Sequence, residues 1–90
     1  MASLIHKYPL PVREETGITV PEGREILHFG EQDNALFVWV LVPDRMAKAD
    51  TFVPLAVHGT GHRIWEDTRA YIQTVQLKNG LVWHVFYREA

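Results

Sequence analysis

The residues best equipped for chemistry in this chain form one run, His58-Gly59-Thr60-Gly61-His62-Arg63. Two glycines flanking a threonine let the backbone take positive φ and turn its N–H groups inward. Such a concavity holds a phosphate or a carboxylate, with the Thr60 hydroxyl and the Arg63 charge added to it. Trp65 follows within a charged connection, and Tyr71 opens the next apolar run, so either ring can pack on the base or ribose of a ligand whose phosphate sits on the loop. The candidate ligand-binding residues are therefore His58, Gly59, Thr60, Gly61, His62, Arg63, Trp65 and Tyr71. A tight turn leaving a strand accounts for Gly-Thr-Gly equally well, because the run lacks the full phosphate-loop pattern.

Catalysis is not expected from these residues. His58 and His62 are four positions apart, a spacing that converges on a metal ion when it lies on a helix, and two glycines between them argue against a helix. No metal site and no cofactor is expected. His58-Gly59-Thr60 has the His-x-Thr form that two-histidine phosphodiesterases use in pairs, but His28-Phe29-Gly30 and His84-Val85-Phe86 lack the second hydroxyl. Ser3 is the one serine and stands in no Gly-x-Ser-x-Gly elbow, which dismisses Ser-His-Asp chemistry. His28 and His84 lie between apolar neighbours and read as core histidines with one satisfied nitrogen. Trp39 and Trp83 read as core residues too, whereas Trp65 reads as an interface anchor or a lid.

The elements that must position this loop are strands. In 90 residues, 47% apolar and 22% charged, there is room for one domain, residues 1–90. No stretch keeps the helical i, i+3, i+4, i+7 spacing, while short runs rich in Val, Ile, Phe, Trp and Tyr recur. They predict strands over Leu4–Tyr8, Ile18–Val20, Glu25–Glu31, Leu36–Val42, Thr51–Val57, Tyr71–Leu77 and Leu81–Tyr87. Gln32-Asp33-Asn34 predicts a hairpin turn, and Asn79-Gly80 predicts a second one of type I′. Pro54 marks its strand as an edge or a bulge, and Pro43–Asp50 is the place for a short helix capped by Asp44. Leu36–Val42 is apolar at every position, and Leu81–Tyr87 is apolar on both faces, so each needs cover on two sides. The expected fold is mainly β: a small, antiparallel, strongly curled sheet of six or seven short strands with at most one short helix.

Composition narrows the partners. The chain has no cysteine and a net charge of −2, so disulfides, thiolate sites and general attraction to nucleic acid or an anionic membrane are not expected. The longest apolar run, Ala35–Pro43, falls far short of the ~20 residues of a membrane span. The start carries no basic segment ahead of a long apolar core, which points to the cytoplasm. Three Trp, three Tyr and four Phe are a large apolar load for a domain this small, and they point to a homo-oligomer.

The segments Ile5-His6-Lys7-Tyr8-Pro9-Leu10, Pro21-Glu22-Gly23 with Glu25-Ile26-Leu27, Val57-His58-Gly59-Thr60-Gly61-His62, Tyr71-Ile72 and Val82-Trp83-His84-Val85-Phe86 together resemble a family of small bacteriophage and prophage proteins of unknown function. The likeness runs over nearly the whole chain, and Gly-Thr-Gly-His and Trp-His-Val-Phe are its most specific parts. It implies a phage origin, the host cell cytoplasm as location and a compact β-rich domain, and it hands over no catalytic residue. For a phage protein of this kind two functions compete. One is sequestration of a nucleotide-derived immune signal without catalysis. The other is inhibition of a host defence protein through a surface patch containing Trp65. An accessory or virion-associated protein without a ligand is a third, blander reading.

Overall fold

The computed structural model describes residues 2–44, 49–65 and 68–88. Seven strands follow in order: β1 (Ser3–Pro9), β2 (Thr16–Pro21), β3 (Glu25–Gln32), β4 (Ala35–Pro43), β5 (Asp50–Gly59), β6 (Thr68–Gln76) and β7 (Val82–Arg88). Every strand expected from the sequence is present. They are divided between two antiparallel sheets rather than carried by one strongly curled sheet, in the orders β1-β4-β3 and β2-β5-β7-β6. Among the described residues there is no helix, and so none long and apolar enough to cross a membrane. The helix expected over Pro43–Asp50 lies largely outside the described residues. Asp44 itself donates its N–H to the Ala2 carbonyl at 3.1 Å.

Alternation builds the core. Leu36, Val38, Val40 and Val42 of β4 point inward with Phe29 of β3, and they meet Ile18, Val20, Val53, Leu55, Val57, Val75 and Val85 of the other sheet in one buried cluster. Among the described residues no further layer covers the outer face of β4. Phe37, Trp39 and Leu41 are half-buried there, screened by neighbours on the same face: the Lys7 ammonium lies 4.6 Å from the Phe37 ring centre, and the His28 ring lies 6.0 Å from that of Trp39. A long side-chain stem and an imidazole thus give this face part of the cover its apolar residues call for.

Both hairpins form, but the type I′ loop expected at Asn79-Gly80 is found instead at Asp33-Asn34. At Asp33-Asn34 the two residues have φ of 53° and 62°, the signature of a two-residue type I′ loop. At the Asn79-Gly80 end Gly80 has φ of 90° while Asn79 does not take positive φ, so the loop is the three residues Lys78, Asn79 and Gly80. The Gly80 N–H reaches the Leu77 carbonyl at 3.0 Å, and the Leu77 N–H reaches that of Leu81 at 2.8 Å. Asn79 is otherwise engaged: its Oδ1 accepts the Leu81 N–H at 3.0 Å, and its N–H donates to Asn34 Oδ1 at 3.1 Å, tying one hairpin turn to the other. Pro54 was expected to mark an edge or a bulge, yet β5 is an interior strand that pairs without a register shift. The proline is tolerated because β7 pairs with β5 only from Leu55 onward, leaving Pro54 opposite Gly17 of β2 alone.

The sheets are also joined by a side chain. β6 shifts register on either side of Tyr71, and beyond the second shift Gln73 stands opposite the buried Val85. Gln73 Oε1 accepts the Phe29 N–H at 2.9 Å while Gln73 Nε2 donates to the Phe29 carbonyl and contacts His28 Nδ1 at 3.2 Å. The free peptide edge of β3 is thereby satisfied by an amide from the opposite sheet. Replacing Gln73 by Leu strands both Phe29 groups and is expected to lower stability by about 1–3 kcal/mol in denaturant titration. In Gln73→Glu the carboxylate faces the Phe29 carbonyl, and only its protonated form can donate there. The folded state therefore favours the protonated acid, and the variant's deficit against wild type should shrink as pH falls.

Candidate functional site

The four-stranded sheet turns a second face away from the core, and most of the candidate polar side chains lie there. In register across it, His58 of β5 stands opposite His84 of β7, His84 opposite Thr74 of β6, and Phe86 between Ala56 and Tyr71. Residues 71 and 74 would face opposite ways in a regular strand. They share this face because the irregularity between Tyr71 and Gln73 adds one residue.

A chain of hydrogen bonds runs over the face. The Tyr71 hydroxyl is 2.7 Å from Thr74 Oγ1, which is 2.9 Å from His84 Nδ1, and His84 Nε2 is 2.8 Å from Thr60 Oγ1. Both imidazole nitrogens of His84 are thus engaged by hydroxyls, and each hydroxyl can donate or accept. The Tyr71 ring meets Phe86 edge-on at 5.5 Å, and Phe86 meets His58 at 5.8 Å. His58 is only 1% exposed. Its Nε2 lies 3.4 Å from Thr68 Oγ1, and its Nδ1 is buried without a partner.

Gly59-Thr60-Gly61-His62 is a tight turn closed by the His62 N–H on the Gly59 carbonyl at 3.1 Å. Gly61 has φ of 86° and open space around a would-be Cβ, so glycine is there for its backbone. At Gly59 the reason is different, since a Cβ would lie 2.8 Å from His62 Cε1. That ring sits over the turn, accepts the Gly59 N–H at Nδ1 (3.3 Å) and meets Trp83 edge-on at 6.4 Å. Two of the N–H groups expected to hold an anion are consequently used within the turn, and side chains supply most of the polarity around it.

A pocket of about 290 Å³ opens beside the turn, lined by His58, Thr60, His62 and His84 together with Gly59, Gly61, Ile64 and Phe86. Among the described residues no carboxylate lines it. Across the turn, Trp83 and Leu81 help to line a second pocket of about 380 Å³. A third, of about 370 Å³, lies between Glu14, Glu15, His58, Trp65 and Thr68. Of the residues singled out in the sequence, the pocket beside the turn gathers His58 to His62. Tyr71 joins it through Thr74 and His84, Arg63 is exposed and lines none of the three pockets, and Trp65 belongs to the third, where its indole N–H donates to Glu14 Oε2 at 3.1 Å.

Sequence reasoning missed Thr74 and misplaced three histidines. His28 is exposed and His84 half-buried and doubly hydrogen-bonded, so neither is a core residue. The interior histidine is His58, which had been given to the loop. Trp83 does pack against the core, while Trp39 lies on the outer face of the three-stranded sheet. Among the described residues no group of three or more His, Asp or Glu is placed to hold a metal.

Fold and site define a small two-sheet β protein with an imidazole and hydroxyl surface on its larger sheet. Over residues 1–90 the chain matches DUF7352, a domain of unknown function, and it belongs to that family. No curated protein and no solved structure matches it.

The two glycines of the turn should respond differently to alanine. Gly59→Ala must displace the His62 ring and is expected to change the near-ultraviolet signal of Trp83. Gly61→Ala meets no atom and carries only the left-handed backbone penalty, about 1–2 kcal/mol, with that signal preserved.

Proposed function

We propose that this protein binds and sequesters a nucleotide-derived small molecule, with its phosphate in the pocket beside the Gly59–His62 turn, and does not turn it over. The observation that carries this reading is the pocket's lining: the Thr60 hydroxyl and the His58, His62 and His84 imidazoles border it, and among the described residues no carboxylate does, despite a chain charge of −2. At about 290 Å³ the pocket suits a phosphate and its sugar rather than a whole dinucleotide. Tyr71, 56% exposed beside Phe86 of the pocket lining, is the ring this reading assigns to the base. Trp65 is the poorer platform for an anion, because Glu14 and Glu15 share its pocket.

A second copy would close a site this open, and on this reading the protein is a homo-oligomer. Light scattering is expected to report more than one 10.4 kDa chain at micromolar concentration. If the resemblance to phage proteins is taken up, sequestration of this kind withholds a nucleotide immune signal in the host cytoplasm.

Calorimetry against cyclic dinucleotides, cyclic oligonucleotides and ADP-ribose derivatives tests the function. Binding should appear for at least one class, weaken about tenfold or more in Thr60→Ala and in His84→Gln, and leave the ligand chemically intact. Affinity untouched by both changes would move the site elsewhere. A blank panel, with capture of a host protein that depends on Trp65, would favour the inhibitor reading; Ile64 and Trp65 are more than half exposed on that side.

A further inference from the structure

The hydrogen-bond chain over the sheet carries more than a binding role. Thr60 Oγ1 is exposed, lies 2.8 Å from His84 Nε2, and His84 is held on its other side by Thr74 Oγ1 at 2.9 Å. This is the arrangement of a hydroxyl nucleophile, a base and a group that orients the base. We infer that Thr60 is an activated hydroxyl that accepts an acyl group from an activated ester or thioester.

The proton bookkeeping is consistent with that role. With its proton on Nδ1, His84 donates to Thr74 Oγ1, Thr74 donates on to the Tyr71 hydroxyl 2.7 Å away, and the Nε2 lone pair is left to accept the Thr60 proton. As Thr60 Oγ1 bonds to the acyl carbon, its proton passes to His84 Nε2 and the carbonyl electron pair moves onto oxygen. Collapse restores the C=O bond, breaks the bond to the leaving group and returns the proton to it from Nε2. The products are an acyl-threonine and a free alcohol or thiol, with no further reactant. Because the orienting group is a neutral hydroxyl where hydrolytic triads carry a carboxylate, the transient imidazolium is less stabilised, which restricts the reaction to activated acyl donors rather than amides. The inference does not depend on nucleotide binding, and each can fail without the other.

The test uses the full chain and p-nitrophenyl acetate, with nitrophenolate release followed alongside mass mapping of the acetylated peptide. Acetyl is expected on Thr60, at one group per chain, beyond any background on Lys7, Lys48 and Lys78. Thr60→Val, nearly isosteric and exposed, should abolish that label while melting as wild type does, and Thr60→Ser should restore it. His84→Gln should slow labelling by about 100-fold, the scale of a lost general base. Label confined to lysines or the N-terminus, or a Thr60 label that proceeds at the wild-type rate in His84→Gln, would overturn the inference.

Discussion

The side-chain amide of Gln73 does between the sheets what a ladder hydrogen bond does within one, offering an acceptor and a donor to the N–H and C=O of the buried Phe29. It can do so only because β6 carries an extra residue between Tyr71 and Gln73. The same irregularity brings Tyr71 and Thr74 to one face, where they meet His84. The inner face gains its clamp and the outer face its hydroxyl chain from one departure from regular pairing. A β6 of regular pleat would have to give up one of them.

The strands themselves were legible because their causes are local. Runs of β-branched and aromatic residues separated by Asp, Asn, Gly and Pro leave little else for the chain to do. Division into two sheets was not legible. Leu36–Val42 reads as a strand covered on both sides, but the cover over Phe37 and Trp39 comes from Lys7 and His28, residues whose types suggest a solvated face or a core position. A stem or a ring lying flat against its neighbours leaves no pattern in the sequence. Pro54 misled for a related reason, since where one partner strand stops along another is a tertiary fact.

In the site, a single residue of register separates what could be read from what could not. Counting outward from a two-residue loop at Asn79-Gly80 sets Val75 opposite His84, whereas the three-residue loop that forms sets Thr74 there. Asn-Gly is the strongest hairpin signal in a sequence, but it does not say which of its residues will take positive φ. Here Asn79 is drawn away by its bonds to Leu81 and Asn34. The Gly-Thr-Gly-His turn was legible as a turn. That its histidine folds back over Gly59, and that His58 is the buried member of the pair, depends on Trp83 and Phe86 in a strand more than twenty residues away.

The bond from Asn79 to Asn34 bears on the order in which the chain can assemble. β3 with β4 and β6 with β7 close over loops of two or three residues, whereas Ser3 must find Pro43 and Thr16 must find Leu55 about forty residues along the chain. Closing a long segment costs more entropy than closing a short one, and distant pairs are accordingly slow to form. Two hairpins, joined at their tips by one asparagine pair and along their edges by Gln73, are the four strands that can come together with the least loop entropy to lose. In that order β1 adds to the free edge of β4 and β5 to that of β7, and β2 follows on β5.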